Sequence, residues 1–379
     1  MIEILIGGDV CPTGCNESAF INGDVETIFG DTLSELSMAD ISAINLECPL
    51  VSRETPIEKS GPVLGVRDSC INAISKAGID IVNLANNHIM DHGVEGLSNT
   101  ISVLDKYSIS HVGAGVNLED AKSVLIKNVN GTRIAFYAVA EHEFSIATDN
   151  CAGANPLNII DFVRIMETNK DEWDYLVILV HGGNEGYPYP NPFLRDVCRF
   201  FVEQGANSVI CQHSHCPGCY ETYRDGHIVY GQGNLCFDNL LGTDRSWHEG
   251  FFVRLSLEAG SRCKMDIIPF VQTESGPGIH LMGGEKLEQF LRVLSERSSA
   301  ILDNSFIEEQ WRRFCTDRKK GYLNTLLGNG SFASRLAGKL GLAKYFCTRN
   351  ALIRKLNLIR CESHREILIK ILSDEFRSS

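Results

Sequence analysis

Residues 81–93 read Ile-Val-Asn-Leu-Ala-Asn-Asn-His-Ile-Met-Asp-His-Gly. An apolar strand pattern leads directly into Asn87 and His88, and a helical pattern begins at Asp91. An amide, an imidazole and a carboxylate therefore follow the carboxyl end of a predicted strand, which is where ligands bind in open α/β sheets. The same residue types are also typical of an Asx turn that caps the next helix. Taken alone, this stretch leaves a structural and a chemical role equally open.

The composition is that of an ordinary globular protein. Of the 379 residues, 44% are hydrophobic and 22% are charged, and this length suits one large α/β domain with a smaller unit. The formal net charge of −13 argues against binding to nucleic acid or to an anionic membrane, because both partners require a basic surface. An anionic substrate is still compatible, since a bound metal can reverse the local field.

The expected compartment follows from the N-terminus and the cysteines. The first residues lead directly into a strand pattern and lack the basic region and long apolar run of a signal peptide. No segment reaches the roughly 18 apolar residues that span a bilayer. The 14 cysteines are scattered along the chain, which is typical of a reducing compartment. These features predict a cytoplasmic protein without a membrane span.

The order of elements predicts the fold class. Strand and helix patterns alternate over residues 1–275, and this alternation indicates an α/β domain. After residue 284 helical patterns dominate, at 286–302, 305–319, 322–340 and 352–376. We therefore predict a helical appendage over residues 284–379, whose apolar stripes are expected to form core or interface rather than a cofactor site.

Five predicted strands end in residues that could bind a metal. These residues are Asp9, Glu47, Asn87 with His88, His181, and His213 with His215. Gly7 and Gly8 are expected to end the first strand, at 2–6, in a sharp turn. Glu47 follows an apolar run, where an unpaired carboxylate is costly, so that either a cation compensates it or it points to solvent. Oxygen ligands mixed with imidazoles favour Mn, Fe or Zn, and a bridging carboxylate can hold two such ions roughly 3.5–4 Å apart.

Six segments of the chain together resemble the CapA-type family, the capsule and poly-γ-glutamate biosynthesis branch of the calcineurin-like metallophosphoesterases. The segments are Gly8-Asp9, Asn45-Leu46-Glu47-x-Pro49, Ala85-Asn86-Asn87-His88-x-x-Asp91-x-Gly93, His181-Gly182-Gly183-x-Glu185, His213-x-His215 and Gly233-Asn234. The resemblance implies a metallophosphatase-like β-sandwich flanked by helices in four αββα layers, with a dinuclear metal site at the strand ends. The predicted helical extension would follow this domain.

The resemblance also implies six metal ligands. Asp9 would be a terminal ligand, Glu47 would bridge two ions, Asn87, His181 and His213 would complete one metal site, and His215 would complete the other. The implied cofactor is one or two divalent metal ions, Mn, Fe or Zn.

Five further residues receive predicted roles near these ligands. By the same resemblance, His88 would be the general acid that protonates the leaving group, and Asp91 would position it. Asn45, Glu185 and Asn234 are predicted to touch the substrate or to support the ligands. For Glu185, a hydrogen bond to a ligand histidine is favoured over a place in the substrate pocket.

Two residues depart from the pattern of the wider superfamily. Cys11 stands where a histidine ligand is usual, and Gln212 stands where a glycine usually precedes the His-x-His motif. The histidine ligand is therefore either missing or replaced by Cys11, which leaves open whether one or two metal ions bind. Six other histidines are predicted to be ordinary surface or core residues: His92, His111, His227, His248, His280 and His364.

Two hypotheses of function follow. The first is a metal-dependent hydrolase of a phosphoester, or of an acyl or amide bond, whose substrate is an anionic polymer or a phosphorylated small molecule of capsule, exopolysaccharide or poly-γ-glutamate metabolism. The second is a non-catalytic assembly subunit that keeps the fold to bind a polyanion or partner biosynthesis enzymes, with the helical appendage as its docking surface. Under the second hypothesis a His88→Ala change leaves cellular function intact.

Overall fold

The computed structural model of the chain describes residues 1–169, 171–238, 245–258, 260–273, 276–327 and 348–377. Most of the strands in these residues form two sheets. The first sheet contains β1 (Ile2–Cys11), β2 (Ile41–Leu46), β5 (Ile81–Asn83), β6 (Ser110–Val112), β15 (Asn234–Phe237), β16 (Glu249–Leu257), β17 (Lys264–Gln272) and β18 (Ile279–Leu281). The second contains β8 (Leu125–Val129), β9 (Thr132–Ala140), β11 (Tyr175–His181), β12 (Ser208–Gln212), β13 (Tyr220–Tyr223) and β14 (Gly226–Tyr230).

Helices and two small strand pairs complete the described part of the chain. The pairs are β3 (Leu50–Val51) with β4 (Val66–Arg67) and β7 (Ala114–Gly115) with β10 (Gly153–Ala154). The α-helices are α1 (Glu17–Asn22), α2 (Val25–Phe29), α3 (Leu33–Met38), α4 (Ile71–Lys76), α5 (Gly93–Lys106), α6 (Leu118–Ala121), α7 (Ile159–Asn169), α8 (Pro192–Glu203), α9 (Gly284–Ala300), α10 (Asn304–Leu327), α11 (Arg349–Arg360) and α12 (Glu362–Arg377). None of the helices described here is long and apolar enough to cross a bilayer.

Alternation along β11 shows how the layers are built. All seven of its residues are buried, as expected for a central parallel strand covered on both faces. Val177 and Leu179 contribute to the core that the two sheets share. Ile178 and Val180 belong to a second core, which includes Phe201 of α8. The chain is therefore an α/β sandwich of two sheets flanked by helices, and the predicted fold class is confirmed.

Strand direction brings the ends of several strands to one edge. In the first sheet β1, β2, β5 and β6 are parallel neighbours. In the second sheet β9, β11, β12 and β14 are also parallel. Successive parallel strands expose the polar residues after their carboxyl ends at the same edge of a sheet. This edge carries the side chains that the sequence indicates as ligands.

The first strand is longer than predicted. It continues through Gly7 and Gly8 to Cys11, with an irregular register against β2 between Ile6 and Asp9. A Cβ atom on Gly8 would lie 2.1 Å from the carbonyl oxygen of Gly233. The expectation that the glycines end the strand is therefore wrong, because Gly8 serves a close backbone approach rather than a turn.

Gln212 connects the two sheets. Its side-chain amide donates a hydrogen bond to the carbonyl of Gly7 at 2.9 Å, and its oxygen accepts one from Asn83 at 3.2 Å. Both partners lie on strands of the first sheet. A glycine at position 212 could not make this polar link, and the departure from the superfamily pattern thus has a structural role.

Individual helices within the appendage differ from their predicted boundaries. Residues 305–319 belong to a single continuous helix, α10, that extends to Leu327, and the remainder of the helix predicted at 322–340 lies outside the described residues. The single helix predicted at 352–376 is broken at Cys361 into α11 and α12. No glycine or proline stands at the break to indicate it in the sequence. The break depends instead on a partner residue that caps α12 and is remote in the chain.

That partner is Glu141, directly after the end of β9. Its buried carboxylate accepts hydrogen bonds from the backbone N–H and hydroxyl of Ser363, at 3.1 and 2.8 Å, and from the backbone N–H of Gly183 at 3.2 Å. Burial and the nearby Glu362 raise the pKa of Glu141 to about 8. A core carboxyl group thus satisfies donors at the amino end of α12, where helices leave N–H groups unpaired.

We expect Glu141→Ala to loosen α11 and α12 from the core. Each buried polar group of Ser363 that loses its partner costs about 1–3 kcal/mol. Limited proteolysis followed by mass spectrometry should show faster cleavage around α11 and α12, together with a lower thermal midpoint. Glu119→Ala, at an exposed glutamate of α6, is the control. Unchanged proteolysis of the Glu141 variant would contradict this role.

Apolar side chains also hold the appendage against the core. Trp311 and Phe314 of α10 and Ile367 of α12 form a buried cluster with Tyr187 of the loop after β11. The Tyr187 and Phe314 rings are centred 4.2 Å apart. The loop that carries part of the predicted site is therefore covered by the C-terminal helices.

Candidate metal centre

Side chains from both sheets meet at this edge in two overlapping groups. The first group is Glu47, His181 and His213, and the second is Asp9, Glu47 and His215. Within each group the potential ligand atoms all lie within 4.8 Å of one another. Glu47 belongs to both groups, which is the arrangement that a bridging carboxylate requires.

Glu47 shows most directly that the site suits a cation. The side chain is fully buried, and neither carboxylate oxygen has a hydrogen-bond partner within the described residues. Oε1 lies 3.5 Å from Nε2 of His181 and 3.7 Å from Nε2 of His215. Burial and the neighbouring Asp9 raise the pKa of Glu47 well above its ordinary value. Because an unpaired buried carboxylate is costly, a bound cation fits this position.

Two of the three imidazoles, those of His181 and His213, have lowered pKa values and therefore favour the neutral form that binds metal. Burial lowers the pKa of His181 to about 4. Burial, together with the neighbouring His181 and His215, lowers the pKa of His213 well below its ordinary value. Burial also acts to lower the pKa of His215, but the carboxylates of Glu47 and Asp9 raise it overall. Neutral imidazoles at His181 and His213 are ready to bind a metal without first losing a proton.

The backbone of the His-x-His motif is held in an unusual conformation. His213 has φ 104° and His215 has φ 53°, in the left-handed region that residues other than glycine rarely adopt. The backbone N–H of His213 donates to Oδ2 of Asp9 at 3.0 Å. Strain of this kind persists where the surroundings enforce it, and such positions cluster at functional sites. The two residues with this strained backbone, His213 and His215, are the ones whose imidazoles lie beside Glu47.

Two asparagines contact the predicted ligands. Nδ2 of Asn45 lies 2.8 Å from Oδ1 of Asp9 and 3.2 Å from Nδ1 of His181. Oδ1 of Asn234 lies 2.9 Å from Nδ1 of His215. Hydrogen bonds of this type can orient ligand side chains, and a supporting role for Asn45 and Asn234 stays a prediction.

Asn87 reaches the first group of ligands directly. Its Oδ1 lies 3.1 Å from Nε2 of His181, and its Nδ2 donates to Oε1 of Glu143 at 3.4 Å. An amide oxygen beside the metal-facing nitrogen of His181 is in a position to share the same ion. The structure thus places all six predicted ligands in a single site.

His88 and Asp91 form a pair at the edge of this site. Nδ1 of His88 lies 2.6 Å from Oδ2 of Asp91, and Oδ1 of Asp91 binds the ammonium group of Lys59 at 2.7 Å. The Lys59 side chain is buried, and its Nζ lies 3.3 Å from Nδ1 of His88. Lys59 was missed in the sequence, because a lysine in a loop gives no signal until the loop is folded over the site.

The pKa of His88 reflects these contacts. Burial lowers it, the hydrogen bond to Asp91 acts to raise it, and the positive charge of Lys59 acts to lower it, with a net decrease. The imidazole lines a cavity beside Asn87. Asp91 therefore fixes the orientation of the ring, and Lys59 influences how readily it takes up a proton.

Glu185 lies beside two histidines of the site and also lines the cavity. One of its carboxylate oxygens lies within 4.8 Å of ligand nitrogens of His213 and His215. This position is compatible with either role predicted for Glu185, contact with a ligand histidine or a place in the substrate pocket. Cys11 is buried in the core beside β15 and belongs to none of the metal-ligating groups found among the described residues. A replacement of the usual histidine ligand by Cys11 is therefore not supported.

The site opens into a cavity of about 450 Å³ that the C-terminal helices partly enclose. Residues 59–62 and Leu64, from the loop between β3 and β4, line one side. Arg318 and Tyr322 of α10 and His364 of α12 line another. The expectation that His364 is an ordinary surface or core histidine is therefore wrong. Its place at the cavity depends on helix packing, which sequence spacing does not reveal.

Comparison with known proteins identifies similar sequences. Residues 3–239 match the family model of the bacterial capsule synthesis protein PGA_cap. The chain is 28% identical over 220 residues to the capsule biosynthesis protein CapA of Bacillus anthracis, a match that covers 56% of this chain and about half, 53%, of that protein. It is 27% identical over 266 residues to the PGA biosynthesis protein CapA of Bacillus subtilis, covering 69% of each.

Solved structures with a similar arrangement are more distant in sequence. A novel phosphatase from Mycoplasma pneumoniae has 13% identity and a TM-score of 0.46, over 77% of this chain and 98% of that one. A hypothetical protein from Thermus thermophilus has 14% identity and a TM-score of 0.47, over 72% of this chain and 100% of that one.

Proposed function

Because the chain belongs to the bacterial capsule synthesis protein family, we propose that it is a metal-dependent hydrolase acting in capsule or poly-γ-glutamate biosynthesis. The observation that carries this proposal is the buried Glu47 carboxylate, which lacks hydrogen-bond partners among the described residues and lies between His181 and His215. The family membership itself confirms the resemblance seen in the motifs. The bond that is cleaved is proposed to be a phosphoester, with an acyl or amide bond as the alternative.

The proposed metal ligands are the five residues of the two groups together with Asn87. Glu47 would bridge, His181, His213 and Asn87 would bind one ion, and Asp9 and His215 would bind the other. When bound, divalent ions such as Mn, Fe or Zn supply Lewis acidity and lower the pKa of coordinated water. Asn45 and Asn234 hold Asp9 and His215 in place, which preserves the geometry of the ligands.

His88 is proposed to donate a proton to the leaving group. Its Nδ1 is engaged by Asp91 at 2.6 Å, so that Nε2 is the nitrogen that can serve the substrate. General acid catalysis needs a donor within hydrogen-bond reach of the leaving atom, and His88 lines the same cavity as His213 and His215.

An anionic substrate fits the charges of the cavity. Two of its lining residues are cations, Lys59 and Arg318, and they come from widely separated parts of the chain. The guanidinium group of Arg318 stacks on Phe314 at 3.6 Å from the ring centre, which holds it at the cavity. A phosphorylated small molecule, or one end of an anionic polymer such as the capsule material of the relatives' names, would meet Arg318 directly, whereas the charge of the buried Lys59 is paired with Asp91.

The proposal is tested with the purified full chain. Elemental analysis after exposure to Mn, Fe and Zn should find divalent metal bound in near-stoichiometric amount. A panel of chromogenic phosphoesters and amides should then reveal metal-dependent turnover that a chelator removes. If the protein binds none of the three metals above the level of a chelator-treated sample, the hydrolase proposal is wrong.

Lys59→Met is expected to shift the pH profile of this activity. A general acid must be protonated, so kcat/KM falls as the pH rises through the pKa of His88 in the free enzyme. The variant removes a positive charge 3.3 Å from Nδ1 of His88 and leaves Asp91 without its cation, and both changes raise the pKa of His88. The alkaline limb should therefore move to higher pH.

The control for this profile is Lys106→Met, at an exposed lysine of α5, whose profile should follow that of the unmodified protein. An alkaline limb that moves to lower pH in the Lys59 variant, or that does not move, would contradict the assignment of His88 as the acid.

A further inference from the structure

A second set of metal-ligating side chains lines the cavity apart from the two groups around Glu47. Glu143, Cys361 and His364 each offer a ligand atom, and these atoms lie within 4.8 Å of one another. We propose that these three residues bind an additional divalent cation of the zinc type. A thiolate, an imidazole and a carboxylate together form a donor set suited to Zn²⁺, and three protein ligands leave one coordination position open.

The local structure brings Cys361 and His364 together. Cys361 lies between α11 and α12, and His364 lies in the first turn of α12. Residues three apart at the start of a helix face the same side. The break at Cys361 thus presents a Cys-x-x-His pair to the cavity, and Glu143 approaches from the segment after β9.

The three side chains are held in place by their neighbours. The Tyr322 hydroxyl lies 2.6 Å from Nδ1 of His364, a contact that fixes the orientation of the ring. Oε1 of Glu143 accepts a hydrogen bond from Nδ2 of Asn87. Cys361 and Glu143 are buried, and His364 is half-buried at the cavity wall. A cation bound here would be shielded from bulk water on most sides.

The charges around this cluster favour a cation. Glu141, Glu143 and Glu362 converge on the start of α12, and His142 pairs with Glu362 at 2.7 Å. Burial and the carboxylates of Glu141 and Glu143 raise the pKa of the Cys361 thiol. Without a metal, the thiol donates a hydrogen bond to Glu141 at 3.5 Å. A divalent cation would reverse this preference and displace the proton from the thiol.

The cluster of Glu143, Cys361 and His364 lies next to the candidate metal centre. Asn87 connects Glu143 to His181 of the candidate metal centre, through its two side-chain atoms. Cys361 and His364 lie beyond residues 3–239, which the family model matches. The additional cation would tie α12 to the core and place positive charge on the cavity wall contributed by the appendage, where an anionic substrate can reach it.

Cobalt substitution tests this site without any measurement of activity. Thiolate coordination produces a sulfur-to-Co(II) charge-transfer absorption in the near ultraviolet, and the ligands around Glu47 include no cysteine among the described groups. The Co(II)-loaded full chain should show this absorption, and Cys361→Ser should remove it together with one equivalent of bound metal. Glu47→Gln should retain the absorption while losing metal from the other centre. Because each variant loses metal from a different site, the experiment can show that the additional cation site is wrong without contradicting the proposed hydrolase, and the reverse.

Two further variants complete the experiment. His364→Gln keeps the thiol and replaces a half-buried side chain, and it should lose the same equivalent of metal with an unchanged thermal midpoint for the metal-free protein. Cys151→Ser removes an exposed thiol that does not line the cavity, and it should retain both the absorption and the metal. If the unmodified protein shows no thiolate absorption, or if Cys361→Ser leaves it unchanged, Cys361 is a neutral structural thiol and the inference is overturned.

Discussion

Glu47→Gln is expected to abolish tight binding at the candidate metal centre and yet to leave the metal-free protein at least as stable as the unmodified chain. The carboxylate is shared by both ligand groups, so its loss removes the bridge from each. In the absence of metal, however, the same carboxylate is buried without hydrogen-bond partners in the described structure. A neutral amide of similar size reduces the free-energy cost of burying that group.

Two thermal unfolding curves per protein measure both effects. A ligand that binds only the folded state at 100 times its dissociation constant stabilises it by about 2.7 kcal/mol, so the unmodified chain should gain a clearly higher midpoint when metal is added to chelator-treated protein. The Glu47→Gln variant should gain little, and its metal-free midpoint should equal or exceed that of the unmodified chain. Glu54→Gln, at an exposed glutamate, should behave like the unmodified protein. A variant that keeps the full metal-induced increase would show that Glu47 is not a ligand.

His88→Ala is expected to reduce turnover by about 10²–10⁴-fold, the range for loss of a general acid, without a loss of bound metal. The imidazole contacts Asp91 and Lys59 and is absent from both groups of potential ligands around Glu47. Asp91→Asn should give a smaller decrease in turnover, because the ring would remain while its orientation and its basicity change.

Metal content and kcat/KM measured on the same preparations provide the test. His280→Gln changes an exposed histidine of β18 and should affect neither quantity. Loss of metal in His88→Ala would mean that His88 supports the ligands rather than the chemistry. A variant with normal metal content that also restores capsule or polyglutamate production fully in cells would favour the non-catalytic assembly subunit over the hydrolase.

The candidate site could be predicted from sequence to the extent that its residues follow strands. Asp9, Glu47, His181 and His213 are marked by apolar runs that lead into a polar side chain. The carboxyl ends of parallel strands lie at one edge of a sheet. A residue that directly follows such a strand can therefore be expected near the other strand ends from its local pattern alone. The pairing of His88 with Asp91 is likewise local, because the two residues are only three positions apart.

Lys59, Cys361 and His364 could not be predicted in this way. Lys59 lies in a loop, and Cys361 and His364 lie in a segment whose own pattern is that of one continuous helix. Each of the three reaches the cavity only because distant parts of the chain pack together. The continuation of β1 through Gly8 could not be predicted for the same reason. Position 8 requires glycine because the carbonyl of Gly233, which is remote in the chain, lies close to it.

By itself, the sequence determined the α/β class and the side chains expected near Glu47, because strand periodicity and the polar residues that follow each strand are local properties. The family followed from the resemblance of six short motifs. Only the tertiary structure decided that Glu47 is buried without a hydrogen-bond partner in the described residues, and that helices α10 and α12 enclose the cavity. The physical reason is that burial, and the choice of a hydrogen-bond partner such as Glu141 for Ser363, depend on contacts between residues far apart in the chain. No local pattern encodes such contacts.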